Sequence, residues 1–109
     1  MHEEEQLLET IMGLIMYGGD AKSSAMEAIY AAKAGKFEEA EAKLKDADKA
    51  LMDAHRSQTA LLTREATGDP VELSLLLVHG QDHLMNAITF KDLAVEIIDV
   101  HRKLDGQEI

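Results

Sequence analysis

Thr67-Gly68-Asp69-Pro70 is the sharpest interruption in a chain otherwise rich in helix formers. A glycine closes a helix in the left-handed conformation, and an aspartate accepts hydrogen bonds from the free amides that begin the next one. Proline is tolerated at the first helical position, where the amide it lacks has no partner. The tetrapeptide therefore reads as the end of one helix and, at Pro70, the start of another. Ala34-Gly35-Lys36 ends an earlier periodic run in the same way. The two breaks leave three helical segments, at about 3–34, 37–66 and 70–105, each roughly 45 Å long at a rise of 1.5 Å per residue. Connections this short make consecutive helices antiparallel neighbours, so the expected fold is all-α, an antiparallel three-helix bundle. One proline in 109 residues and the abundance of Ala, Leu, Glu and Lys agree with that class. No repeat, low-complexity run or linker divides the chain, and residues 1–109 read as a single domain. Gly18-Gly19 lies inside the first segment and weakens it by about 1 kcal/mol per glycine. It marks a kink, a close helix approach or a break into two helices.

With 21 acidic against 11 basic residues the formal charge is −10. Such a surface repels phosphate backbones, so nucleic acid and anionic membranes are excluded as expected partners, whereas a basic protein patch is complementary to it. There is no cysteine, hence no disulfide, thiolate metal site or cysteine nucleophile. The start of the chain, Met1-His2-Glu3-Glu4-Glu5, is acidic, and no apolar run approaches the roughly 18 residues that span a bilayer. A soluble, cytoplasmic protein without membrane insertion is expected.

At about 100° per residue, Leu73, Leu77, Gly80, Leu84, Ile88, Val95 and Ile98 share one side of the third helix, which can pack on the other two. Val71, Leu75, Val78, Met85, Leu93 and Val100 share the opposite side, with Asp82 near the middle. A three-helix monomer buries only one such face, and the leftover face predicts self-association along this helix. Carboxylates meeting at a symmetry axis repel, and either bind protons or share a hard cation such as Mg²⁺. Alternatively Asp82 faces solvent or pairs with Lys91.

His79 and His83 stand one helical turn apart on the flank beside Asp82. Three readings fit this pair: structural histidines satisfied by their neighbours, two ligands of a transition metal with His55 or an acidic residue as a third, or a nucleophilic imidazole that carries a phosphoryl group. In the last, His83 or Gln81 stabilises the transferred oxygens. The chain contains no phosphate-binding loop and no kinase signature, so the phosphoryl group would arrive from another protein.

His79-Gly80-Gln81-Asp82-His83-Leu84-Met85, followed by Lys91-Asp92-Leu93, resembles the phosphorylation-site helix of the lactose/cellobiose-type IIA proteins of the bacterial phosphoenolpyruvate-dependent sugar phosphotransferase system. Met12-Gly13-Leu14-Ile15, Gly19-Asp20-Ala21-Lys22-Ser23, Gly35-Lys36-Phe37 with Glu39-Ala40, and Ala54-His55-Arg56-Ser57-Gln58-Thr59 extend the resemblance over nearly the whole chain. It implies a three-helix subunit assembling as a homotrimer, with active sites near subunit boundaries. His79 would carry the phosphoryl group, with Gln81 and His83 in support. Asp82 would sit at the trimer centre, linked to a divalent ion, Mg²⁺, one per trimer. The implied reaction is a relay: phosphorylated HPr gives the group to His79, which passes it to a cysteine of the cognate IIB component during uptake of lactose or a β-glucoside such as cellobiose or chitobiose. The sugar is selected by the IIC membrane component, and Gly80 is more like the lactose-type members. The alternatives are a metal-binding helical assembly or a phosphorylation-controlled regulator without a transport role. His55 is expected to be structural, His2 and His101 solvated, and the methionines core filler, Met85 excepted if it faces a partner.

Overall fold

The computed structural model describes residues 2–106; the side chain of His2, expected to be solvated, lies outside the described residues. Helices α1 (His2–Lys33), α2 (Phe37–Ala66) and α3 (Leu75–Leu104) run up, down and up, with no strand among the described residues. The bundle is a rod of 56 × 20 × 20 Å, and its radius of gyration of 16.8 Å exceeds the ~13 Å of a rounded chain of this size. α1 is the spine, packing closely along both α2 and α3, whereas α2 and α3 touch more sparsely.

Buried residues follow a seven-residue period in every helix. Ile11, Leu14, Gly18, Ala21, Ala25, Ala28 and Ala32 form the line on α1. Phe37, Ala40, Leu44, Ala47, Leu51, Ala54 and Leu61 form it on α2, and Gly80, Leu84, Ala87, Ala94 and Ile98 on α3. Alternating steps of three and four keep such a line against a neighbouring helix along its whole length. Much of the seam is alanine or glycine, so the backbones lie close and the large side chains Leu14, Leu84 and Ile98 fill what remains. Two polar residues take seam positions, and each has a partner. Gln58 Nε2 donates to Gln81 Oε1 at 3.0 Å, and Lys91 Nζ pairs with Asp48 at 2.9 Å. Charge also closes the rim of the bundle. Lys43 Nζ lies 2.8 Å from Glu27, whose carboxylate holds the ammonium's pKa above the usual lysine value.

Gly18-Gly19 is neither a kink nor a break, since α1 is continuous through it. Gly18 is the close approach. A Cβ there would lie 3.0 Å from both the carbonyl carbon and oxygen of His83, while a Cβ on Gly19 would meet nothing within 4 Å. Gly80 returns the contact from α3, its missing Cβ falling 3.3 Å from Leu14 Cβ.

Both glycine stops form as expected. Gly35 (φ +76°) and Gly68 (φ +86°) are left-handed. Each is followed by an amide that reaches back to the last turn, Lys36 N to Ala31 O at 2.9 Å and Asp69 N to Arg64 O at 3.0 Å. The start of α3 differs from expectation. Asp69 does not cap it and Pro70 is not its first residue: the Asp69 carboxylate accepts from Arg64 Nε at 3.1 Å, turned back onto α2. The cap is Ser74, in extended conformation, whose Oγ accepts from Leu77 N at 3.1 Å. Residues 69–74 are non-helical, Leu73 is 79% exposed instead of packed, and Val71 packs inward against the core instead of joining the outward face.

Replacing Ser74 by alanine should lower the unfolding free energy by about 1 kcal/mol. Asp69→Ala, which loses an exposed ion pair, should cost less than about 0.5 kcal/mol. Urea unfolding of both at one protein concentration distinguishes them, and a costlier Asp69 variant would return the cap to Asp69. Gly18→Ala forces apart two backbones at a cost of roughly 1–3 kcal/mol, outweighing the ~1 kcal/mol that alanine gains in a helix. Gly19→Ala should keep that gain. Melting temperatures that move the same way in the two variants would contradict the close approach.

Candidate active site

The contact at Gly18 sets the height and rotation at which α3 presents its histidines. His79 is exposed and His83 half-buried. Their Nε2 atoms lie 3.1 Å apart, with ring centroids at 4.4 Å and the planes at 84°. In a neutral pair one Nε2–H donates to the lone pair of the other, so one ring carries its proton on Nε2 and the other on Nδ1.

The pair opens into a cleft of ≈ 660 Å³ between α1 and α3, to which α1 contributes Gly18, Gly19, Lys22, Ser23 and Met26, and α3 adds Asp82, Asn86 and Phe90. Lys22 Nζ lies 5.7 Å from the centroid of the Phe90 ring. Asp82 is exposed and lines the cleft. Its alternative partner Lys91 is engaged by Asp48 on α2, so the Asp82–Lys91 pairing does not form.

Gln81 takes a different direction. Two residues beyond His79 on a helix is about 200° around the axis, and its side chain is held by Gln58 at the α2–α3 seam, away from the histidine pair of its own chain. His55 also lies apart from the pair, its Nδ1 3.1 Å from Leu51 O on α2. The metal reading thus loses its third ligand: among the described residues no three His, Cys, Asp or Glu side chains are grouped to hold an ion. His101 is half-buried instead of solvated, because it continues the α3 seam one step beyond Ile98.

The outward face of α3 is as the hydropathy pattern predicts, apart from Val71. Leu75 (86%), Met85 (55%), Leu93 (58%) and Val100 (56%) are exposed in one line with Val78, and Asp82 interrupts it. A second exposed apolar line was not expected: Leu8, Met12 and Met16 on the solvent side of α1. Its signal was present, since these residues recur at every fourth position, but only the packed bundle shows that α1 turns them outward, into a groove lined also by Tyr17 and Ser57.

Residues 9–102 match the family described as "PTS system, Lactose/Cellobiose specific IIA subunit". The chain is 52% identical over 103 residues to the lichenan-specific phosphotransferase enzyme IIA component of Bacillus subtilis, covering 94% of each chain. Among solved structures, the cellobiose-specific enzyme IIA of Bacillus anthracis superposes with a TM-score of 0.90 at 46% identity over 94% of each chain. The IIA(chitobiose) of Escherichia coli, solved in complex with HPr, gives 0.79 at 40% identity over 91% of this chain and 96% of that one. The three-helix fold, the histidine-bearing α3 and these likenesses place the chain in the lactose/cellobiose-specific IIA family of the sugar phosphotransferase system, the phosphotransferase components that carry phosphoryl groups between HPr and IIB.

Proposed function

We propose that His79 is the phosphoryl acceptor of this carrier and that His83 sets its tautomer. The observation that carries the assignment is the 3.1 Å contact between an exposed and a half-buried imidazole. With His83 donating from Nε2, His79 keeps its proton on Nδ1, and its Nε2 lone pair is freed for attack as the His83 N–H turns from it to an oxygen of the incoming phosphoryl group. That lone pair attacks the phosphorus of phosphorylated HPr in line. The bond from phosphorus to the donor imidazole breaks and its electron pair returns to the donor ring. Transfer to a cysteine thiolate of IIB repeats the displacement with sulfur as nucleophile. His83 Nε2–H is then positioned to donate to a phosphoryl oxygen. Such exchange rests on alignment and charge stabilisation more than on covalent chemistry by the protein.

The exposed line on α3 supports a homotrimer wrapped around that helix. His79 and Gln81 lie on opposite flanks of the line, so a ring of three brings the Gln81 flank of one chain to the His79 flank of the next. Gln81 supports the site across that boundary. Asp82 lies on the line itself, and three copies supply carboxylate oxygens of the kind that hold a hard divalent cation; Mg²⁺ is the ion we propose, one per trimer, where it neutralises converging charge. Leu8, Met12 and Met16, exposed on the helix that forms one wall of the cleft, suit a surface that docks two partners in turn, methionine being adaptable in shape. Among the described residues no helix is long and apolar enough to cross a membrane, and we assign the protein to the cytoplasm, where HPr and IIB would meet it. Gly80 packs against Leu14, so we attribute its identity to packing and not to the sugar. The solved relatives named for cellobiose and chitobiose share this fold, as expected if the sugar never touches this surface.

Incubation with phosphoenolpyruvate, enzyme I and HPr should add one phosphoryl group, about 80 Da in intact mass, to the wild type but not to His79→Ala, and His83→Ala should label more slowly. Normal labelling of the His79 variant would reject the assignment. For the interface, Asp82→Leu should remain trimeric in chelator, with midpoint of thermal unfolding equal to or above that of the wild type. Dissociation to monomers in analytical ultracentrifugation would overturn the converging-carboxylate account.

A further inference from the structure

Gly19-Asp20-Ala21-Lys22-Ser23 lies on α1, and neither the histidine pair nor the seam accounts for its lysine. Among the residues lining the cleft, Lys22 is the only lysine or arginine. Among the described residues it makes no ion pair, a property it shares with Lys33, Lys36, Lys45, Lys49 and Lys103, but of these six Lys22 alone lines the cleft with the histidines. Its ammonium instead rests on the Phe90 ring at 5.7 Å. Cation–π contacts at exposed sites are weak, about 0.5–1 kcal/mol, and release the cation easily. Lys22 stands one turn beyond Gly18, the residue in contact with the His83 backbone, so its flexible four-carbon stem starts beside the histidine pair.

The electrostatics of a loaded His79 require such a group. A phosphoryl group brings a charge of roughly −1.5 to −2 near neutral pH. It would stand on a chain whose formal charge is already −10. The histidine pair supplies one directed donor, His83 Nε2–H, and no fixed positive charge.

We infer that Lys22 is a catalytic residue of the phosphoryl transfer: its ammonium leaves the Phe90 ring and pairs with the phosphoryl oxygens carried by His79. This rests on the phosphoryl-carrier reading of His79 and adds the group that stabilises the loaded state. The test uses the full chain as wild type, Lys22→Gln and Lys22→Arg, each loaded with phosphoenolpyruvate, enzyme I and HPr. Two quantities are read: the equilibrium partition of the phosphoryl group between HPr and this chain, and the ³¹P titration of the phosphohistidine. Loss of the ammonium should shift the partition about tenfold toward HPr and raise the second phosphate pKa, and arginine should restore most of both. A purely structural role for Lys22 would leave the phosphate titration unmoved. A labelled Lys22→Gln variant with wild-type partition and titration would overturn the inference while leaving His79 as carrier. A wild type that takes no label would sink the carrier reading and this inference together.

Discussion

Two missing side chains govern the placement of everything functional here. At Gly18 a β-carbon would press to 3.0 Å on the His83 carbonyl, and at Gly80 another would press to 3.3 Å on Leu14. With hydrogen in both places, α1 and α3 lie backbone to backbone over the segment that carries the histidines, and neither helix can slide or roll without meeting the other. Glycine is an expensive choice inside a helix, at roughly 1 kcal/mol against alanine, so it is informative where it is tolerated. The cleft follows from the same contact: the helices meet at Gly18, and beyond it Lys22, Ser23 and Met26 face Asn86 and Phe90 across open space.

A narrow rod with a thin seam leaves α3 exposed over much of its circumference. Its seam residues, Gly80, Leu84, Ala87, Ala94 and Ile98, face the other two helices, and its outward line from Leu75 to Val100 has no partner among the described residues. The histidine pair stands on the boundary between those two faces. Position explains its polarity: a flank residue is half-covered by α1, as His83 is, or left open, as His79 is. The nucleophile we propose at His79 must remain reachable, while the group that orients it must be held still, and adjacent turns at the edge of a packed face suit both.

Most of the architecture was legible because it depends on local chemistry. Gly35 and Gly68 close their helices in the left-handed conformation, and the two-sided hydropathy of α3 survives in its exposed and buried faces. The start of α3 was misread because Asp69-Pro70 imitates a cap and first residue. The Asp69 amide, however, is already committed to closing α2 through Arg64 O. One residue cannot complete the end of one helix and also begin the next when its backbone is turned back, and Ser74 inherits the second task. Gln81 illustrates another limit. Its place far around the helix from His79 follows from 3.6 residues per turn, but its partner Gln58 occupies a position of the α2 seam that only packing assigns. The Gly18-Gly19 pair was ambiguous for a related reason: two adjacent glycines look alike in sequence, and only the neighbouring helix separates the one in contact from the one in the open.

A relay carrier faces a constraint that an ordinary phosphate-binding protein does not: it must accept the group readily and also surrender it. Strong, rigid recognition would defeat the second step. A bidentate guanidinium or an array of backbone amides holds a phosphate with several charge-assisted bonds, deepening the loaded state into a trap. The cleft here is lined by one ammonium on a flexible stem and one imidazole donor. On the proposed reading the loaded state is stabilised by few charge-assisted bonds and so remains easy to surrender. The exposed position of His79 acts in the same direction, because solvent screens any ion pair formed there. Transfer in each direction then depends chiefly on which partner is docked, the condition a phosphoryl relay requires.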